Sequence, residues 1–377
     1  MIALRSGVVV ALAAAVTPFV LRSDWANTTV HSSAAPPQLG LFSLSDQPAR
    51  RWSASSLPPG GARTQANPAV QADTVVVATT HRIEGHDPRT GATRWFYERR
   101  NATVCSWTAQ DGLVFAAFRK EHGCRDLVAL NAGTGERTWY RSGELNADIS
   151  LSAIPSVLLA SNSHAIVAYD TGGSLARWTY GKAGCTLSAP VPGDIGIAVL
   201  ARCGGTTQLL LVDSFSGRNR FREDQPPILV GDAAAIVATG QSIAVLSGGS
   251  GHAVLSLYGQ DGKVITSLAD QRMRYDDPAR AGGIVYSGLI IGWTGRAVFA
   301  VPVGSPKLLW SVPATGPAGT GSDDVVAWTE TGFVDLAVGD GKVLHTIAAA
   351  HPDDPAGMDR IGDLLVASGA STVEVYG

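Results

Sequence analysis

Short apolar runs of four or five residues recur along the chain, each bounded by turn residues. Leu127-Val128-Ala129-Leu130 leads into Asn131-Ala132-Gly133-Thr134-Gly135 and then into Arg137-Thr138-Trp139-Tyr140. The pattern is strand, tight turn, strand. Asn tolerates turn conformations, and Gly supplies a positive φ without steric cost. The unit recurs at Gly85-His86-Asp87-Pro88-Arg89-Thr90-Gly91 before Trp95, at Tyr169-Asp170-Thr171-Gly172-Gly173 before Trp178, and at Asp213-Ser214-Phe215-Ser216-Gly217 before Phe221. The turn glycines are Gly91, Gly135, Gly173, Gly217, Gly262 and Gly341, with a degenerate copy near Gly304.

A second marker counts the repeat independently. A turn residue precedes an apolar strand at Asp73, Asp111, Asp194, Asp232, Gly283, Asp324 and Asp363, and Pro155-Ser156 is a degenerate member, which makes eight. Four short strands per repeat, at roughly 40–50 residues, predict an all-β fold, an eight-bladed β-propeller of four-stranded antiparallel blades. Each blade runs strand A, a turn at the Asp, strand B, a loop, strand C, the Gly turn and strand D. Trp52, Trp95, Trp139, Trp178 and Trp310 then read as strand-D packing residues between blades, because a large flat ring fills such a gap. Trp52 arrives before any strand A, while residues 363–376 supply strands B and C and then stop. The two deficits match, so the Trp52 strand is expected to close the ring and remove two unpaired edges.

The chain has 377 residues, of which 45% are apolar and 16% charged, with a net charge of −3. A slightly acidic chain does not suit nucleic acid, whose phosphates need a basic face. Gly7 to Leu21 is an apolar run with Arg5 before it and Arg22 after it. Residues 1–22 therefore read as a single-pass signal-anchor transmembrane helix, or as a signal peptide removed in a secreted protein. Arg5 holds the start of the chain inside, placing the body outside the cytoplasm. Residues 23–41, with Pro36-Pro37, read as a linker, and residues 42–377 as the propeller. The cysteines support an oxidising compartment. Cys105 and Cys185 sit where a strand A begins, Cys124 and Cys203 follow a strand B, and the expected disulfides are Cys105–Cys124 and Cys185–Cys203. Neither pair has Cys-x-x-Cys spacing, which argues against zinc.

No nucleophile elbow, His-Glu-x-x-His, P-loop or EF-hand occurs, so no catalytic, cofactor or metal residue is assigned, and the chain is expected not to be an enzyme. Tracing a blade puts the A–B and C–D turns on one face and the B–C and D–A connections on the other. The second set varies most: 119–126, 247–252, 271–282 and 350–359. Variable loops on a rigid scaffold are where binding residues usually lie. Two segments there, at 276–279 and 353–356, share Asp-Asp-Pro-Ala. The candidate partner contacts are Arg272, Arg274, Tyr275, Asp276, Asp277, Asp353 and Asp354.

The pattern x-Ala-x-Asp-x-x-Thr-Gly-x-x-x-Trp, clearest at 87–95, 131–139 and 170–178, resembles the quinoprotein (PQQ-like) repeat of eight-bladed propellers. One branch, the quinoprotein alcohol dehydrogenases, binds pyrroloquinoline quinone and calcium, typically beside an adjacent Cys-Cys disulfide, and this chain has no adjacent Cys pair. The BamB-like branch of outer-membrane assembly lipoproteins binds partners and does no chemistry. This chain is similar in size but has no Cys near residue 22 for lipidation. Its Ala/Arg-rich, Lys-poor composition resembles that of a high-GC actinobacterial protein. The resemblance is specific for fold and not for activity; with the N-terminal apolar run and no catalytic motif, the expectation is a non-catalytic, membrane-anchored, extracytoplasmic propeller that takes a protein or cell-envelope partner and no cofactor. The alternative it leaves is a degenerate quinoprotein dehydrogenase.

Overall fold

The computed structural model describes residues 23–39, 48–60, 69–121, 123–145, 148–173, 175–221, 226–248, 253–273, 275, 280–305, 307–320, 324–349 and 356–377. Its strands form eight antiparallel sheets arranged as blades. In chain order, blade one holds β3 (Val70–Gln71), β4 (Thr74–Ala78), β5 (Arg82–His86) and β6 (Thr93–Arg99), with β1 (Thr28–His31) on its outer edge. Blade two holds β7 (Thr103–Gln110), β8 (Leu113–Lys120), β9 (Gly123–Asn131) and β10 (Arg137–Ser142). Blade three runs β11 (Ser150–Ile154), β12 (Val157–Ser161), β13 (Ala165–Asp170) and β14 (Ala176–Gly181). Blade four has a split strand A, β15 (Cys185–Leu187) and β16 (Val191–Gly193), then β17 (Gly196–Cys203), β18 (Thr206–Val212) and β19 (Ile228–Val230). Blade five runs β20 (Ala235–Thr239), β21 (Ile243–Ser247), β22 (Ala253–Tyr258) and β23 (Val264–Asp270). Blade six runs β24 (Gly282–Tyr286), β25 (Leu289–Trp293), β26 (Ala297–Pro302) and β27 (Trp310–Pro313). Blade seven runs β28 (Ala318–Thr320), β29 (Asp324–Thr329), β30 (Gly332–Ala337) and β31 (Val343–Ala348). Blade eight takes β32 (Gly357–Ile361), β33 (Leu364–Ser368) and β34 (Thr372–Tyr376) from the end of the chain and β2 (Arg50–Ser55) from its start.

The ring closes as the sequence pattern predicts. Trp52 lies opposite Val375, and Ser55 opposite Thr372. Arg50 pairs with Glu374 at 3.1 Å, and Arg89 of blade one reaches Asp363 of blade eight at 2.7 Å. Apolar burial is concentrated between blades. Separate clusters fill the gaps from blade two to three, three to four, four to five and onward to seven to eight, and one larger cluster joins blades eight, one and two.

The strand-D tryptophans act through the turn of the following blade. The indole N–H of Trp52 donates to the Pro88 carbonyl at 2.9 Å, Trp95 to Ala132 at 2.8 Å and Trp139 to Thr171 at 2.8 Å. Trp178 donates to Ser214 at 3.0 Å and Trp310 to Val338 at 2.9 Å. Each ring also lies flat against the turn glycine. A Cβ added at Gly135 would sit 2.7 Å from the Trp95 ring, and one at Gly173 would sit 2.0 Å from Trp139. These glycines also have φ of +74° and +92°, so two independent constraints select Gly. Phe221 takes the corresponding place against Gly262. Gly304 of blade six has nothing within 4 Å of an added Cβ, so the seam from blade five to six lacks this lock.

Two strand assignments differ from the sequence reading. Asp232 and Gly283 were expected at A–B turns. The A–B turns of blades five and six instead lie between Thr239 and Ile243 and between Tyr286 and Leu289. For Asp232 the cause is blade four. Its strand D begins with a bridge from Asn219 to Val212, is interrupted, and resumes at Ile228 after Pro226-Pro227. Pro removes a ladder donor and favours such a break. The resumed piece looks like the next strand A when read along the chain.

Residues 23–39, expected as a linker, are docked on the body. Ser23 caps a short helix α1 (Asp24–Asn27), and β1 then pairs along β6 from Thr28 opposite Arg99 to His31 opposite Phe96. Ser33 N–H donates to the Thr134 carbonyl, and Leu39 N–H to Asp73. The outer edge of blade one offers unpaired backbone groups, and even a polar segment gains from satisfying them. The cysteine pairs are those expected, Cys105–Cys124 and Cys185–Cys203. Cys185 lies directly opposite Cys203 across strands A and B. Cys105 instead joins strand A to strand C, where the register slips beside it.

The repeated turn aspartate is a local cap. Asp213 accepts from the Ser216 N–H at 2.7 Å and pairs with Arg220 at 2.5 Å, and Asp170 likewise pairs with Arg177 at 2.7 Å. Partial burial alone would raise the Asp213 carboxyl, but the Ser216 and Arg220 bonds outweigh it and hold it at about 2. The Arg177 bond, with the Gly172 N–H, also lowers Asp170. A carboxyl depressed in the fold binds fewer protons there than in the unfolded chain. Its stabilisation is present above the unfolded value of about 4 and is lost as pH falls through the folded value. Asp359 in β32 works oppositely, since burial raises it to about 6, only partly offset by the Arg360 N–H. Its neutral form is favoured in the fold, so that contribution falls as pH rises from about 4 to about 6. Stability is therefore expected to peak on the mildly acidic side and to drop steeply from about pH 4 towards pH 2. In urea titrations across this range, Asp213→Asn should cost on the order of 1 kcal/mol at neutral pH and flatten the acid limb. An acid limb as steep in that variant as in the wild type would remove Asp213 as a contributor.

Candidate functional site

The B–C and D–A connections share one face, as the strand order requires. On it, between blades five and seven, lies an open groove of about 1000 Å³. One wall comes from the β23–β24 connection, with Arg272 and Arg280. The β25–β26 connection supplies Gly295 and Arg296, the end of β27 supplies Ser311, Pro313, Ala314 and Thr315, and the β29–β30 connection supplies Thr329, Glu330 and Thr331. Backbone bonds fix this rim: Ala314 N–H donates to the Arg296 carbonyl, and Thr315 N–H to that of Trp328, both at 2.9 Å. The Arg280 guanidinium lies 5.6 Å from the ring centre of buried Trp293. Arg272 is exposed and pairs with Asp270 at 2.7 Å, and the Ser311 hydroxyl donates to the Arg272 carbonyl.

Of the residues proposed as contacts, Arg272 lies in this groove. Tyr275 is only 1% exposed, and its hydroxyl donates to the Ala233 carbonyl at 2.8 Å, so it anchors the 271–281 connection from inside. Its aromatic ring is large enough to be drawn into the core cluster between blades five and six. Arg274, Asp276, Asp277, Asp353 and Asp354 lie outside the described residues. Arg280, Arg296, Thr315 and Glu330 were not singled out from sequence. The available signal was their place at strand ends on one face of consecutive blades. Three guanidiniums and several hydroxyls facing one groove suit a ligand carrying carboxylate or other anionic groups, which arginine meets with paired donors.

A second cavity, of about 380 Å³, opens on the opposite face at the mouth of the central channel. Gln71, Gln110, Ile154, Asp194, Thr239, Tyr286 and Thr320 contribute to it from successive innermost strands and their turns. Pyrroloquinoline quinone carries three carboxylates, and the charged side chain at this mouth is Asp194, of the same sign. These residues do not fit the quinone. Among the described residues, no three of His, Cys, Asp and Glu gather in a metal-ligating arrangement, and no helix is long and apolar enough to cross a membrane. The run Gly7 to Leu21 lies outside those residues.

No protein-family model matches the sequence, and neither does any curated protein. Solved structures do match. BamB from Moraxella catarrhalis superposes with a TM-score of 0.53 at 15% identity, over 87% of this chain and 99% of that one. The computationally designed Ika8 protein gives a TM-score of 0.58 at 13% identity, over 85% and 98%. A quinohemoprotein alcohol dehydrogenase from Pseudomonas putida HK5 gives 0.52 at 10% identity, over 90% and 78%. At these identities the likeness is one of fold. The chain is an eight-bladed propeller of the architecture seen in both BamB and the quinoprotein dehydrogenases.

Proposed function

We propose that this protein is a non-catalytic binding propeller, held at a membrane by its N-terminal apolar run, that captures a protein or cell-envelope partner on its B–C/D–A face. The observation that carries the reading is the groove framed by Arg272, Arg280 and Arg296 on the face with the most variable connections. The fold shared with BamB supports it, since that propeller too is built on this architecture. An acidic stretch of a partner protein, or an anionic envelope polymer, has the matching chemistry.

The test is crosslinking in the native envelope followed by identification of the captured species. Reversing all three charges, with Arg272→Glu, Arg280→Glu and Arg296→Glu, should reduce capture at least about tenfold, because like charges facing across an interface cost several kcal/mol. A parallel variant carrying Asp276→Asn, Asp277→Asn, Asp353→Asn and Asp354→Asn tests the opposite sign: it removes like charge, so capture of an anionic partner should persist. Capture that survives both sets but is lost when the exposed C–D turns are altered would place the site on the other face. The competing reading, a quinoprotein dehydrogenase, predicts a spectral change on adding pyrroloquinoline quinone and calcium.

A further inference from the structure

The path of the N-terminal segment fixes how the propeller is presented to the membrane. This rests on the anchoring reading above. Gly7 to Leu21 is apolar, and only Arg22 separates it from Ser23, where the docked structure begins. Asp24 is already held by the body. It lies 3.1 Å from the Arg99 guanidinium, and it also pairs with Lys120 and with the Asn101 amide. Arg100 N–H donates to the Asn27 carbonyl, and β1 continues along β6. Three residues span at most about 10 Å, so an apolar run held in a membrane would keep this corner of the body close to the lipid.

The corner belongs to the B–C/D–A face. Arg99 ends strand D of blade one, and Lys120 ends strand B of blade two. From there β1 climbs away, so that Leu39 reaches the A–B turn at Asp73 on the opposite face. Trp25 stands in this corner at 85% exposure, more than any other large apolar residue described. Arg100 and Lys120 lie beside it, Arg100 through the Asn27 carbonyl and Lys120 through Asp24, and Arg22 precedes it in the sequence. An exposed Trp with neighbouring basic residues, immediately after an apolar segment, has the chemistry of the membrane–water interface.

We infer that the corner formed by blades one and two lies on the lipid surface, with Trp25 at the level of the headgroups and the B–C/D–A face turned to the bilayer. The A–B and C–D turns then point away from the membrane. The arginine groove on blades five to seven opens towards the bilayer, so its partner is one that lies in or against the membrane.

The four cysteines are paired, which leaves single introduced cysteines open to labelling. The full chain is reconstituted into vesicles of phosphatidylcholine and phosphatidylglycerol containing a headgroup nitroxide lipid. An environment-sensitive fluorophore is placed on Glu121→Cys, in the B–C connection of blade two, or on Thr90→Cys, in the C–D turn of blade one. Both positions are exposed. Quenching at 121 should exceed that at 90 by about threefold or more, since the two lie on opposite faces. Adding Trp25→Ser should leave flotation intact and lower the quenching at 121. Flotation with equal quenching at both positions, or with stronger quenching at 90, overturns the orientation while leaving the anchor standing. A full chain that does not float with vesicles overturns the anchor and the orientation together.

Discussion

Trp95→Ala is expected to cost about 3–5 kcal/mol, the range for removing a fully buried large aromatic. Trp95 has no exposed surface and fills the gap between blades one and two. Its indole N–H satisfies the Ala132 carbonyl, and its ring lies against Gly135. Alanine would leave both a cavity and an unmatched acceptor. Trp95→Phe separates the two terms, because it keeps most of the buried area and loses only the hydrogen bond, at about 1–2 kcal/mol. The reciprocal change, Gly135→Ala, should be comparably damaging, since the Cβ would meet the Trp95 ring at 2.7 Å with φ at +74°. Gly304→Ala is the control. It has a positive φ of +82° but open space around the new Cβ, so only backbone strain remains, about 1 kcal/mol. Chemical denaturation followed by circular dichroism measures all four. Equal losses at Gly135 and Gly304 would show that backbone conformation alone selects these glycines, and that the Trp contact adds nothing.

These contrasts also show which parts of the molecule could be read from the chain. The turn chemistry is local, so Asp87, Asn131, Asp170 and Asp213 mark C–D turns wherever they occur, each accepting from the N–H groups just ahead of it. Trp52 was legible as the closing strand because its spacing from Trp95 matches the repeat and blade eight otherwise lacks a strand D. The cysteine pairing was legible for the same reason, although the Cys105 bridge spans two strands rather than adjacent ones.

Features that depend on contacts distant in sequence were not legible. The docking of β1 rests on an open edge of blade one, and nothing in Thr28-Thr29-Val30-His31 announces it. Blade four's broken strand D displaced the turn predicted at Asp232 because an apolar fragment such as Ile228-Leu229-Val230 carries no mark of the blade to which it belongs. The arginine groove draws on three blades: the β24–β25 hairpin of blade six sets Arg280 beside the Arg296 connection, but Arg272 and Glu330 join them only once blades five and seven flank it. Tyr275 shows the converse. A tyrosine in a polar loop invites a surface role, yet its ring is drawn into the core and only its hydroxyl needs a partner.

Arg99 is the residue through which the ring and its N-terminal strap depend on each other, and Arg99→Met is expected to cost about 3–5 kcal/mol. Its side chain is 1% exposed, with the guanidinium 2.9 Å from Asp126 and 3.1 Å from Asp24. The rings of Phe118 and Tyr140 lie 5.3 and 5.5 Å away. Burial, reinforced by the negative charge of Asp126, pushes the Tyr140 phenol up to about 12, so it stays neutral beside the ion pair and adds no further charge to the seam. Without Arg99, Asp126 keeps, among the described residues, Lys120 at 3.2 Å as a countercharge. An unbalanced buried carboxylate is the costly state, so adding Asp126→Leu to Arg99→Met should recover part of the loss. Asp24→Ala should cost about 1 kcal/mol, because the Asp24 side chain is 43% exposed and its ion pairs are weakened by solvent. The two variants should nevertheless share one effect. Each removes a tie on the strap, so limited proteolysis between residues 23 and 31 should accelerate in both while the blades stay resistant. The double-mutant cycle by urea titration, with protease cleavage mapped in parallel, carries the decision. A loss below about 1 kcal/mol for Arg99→Met would mean the guanidinium is dispensable in the seam. Unchanged cleavage of the strap would mean that β1 pairing alone holds it in place.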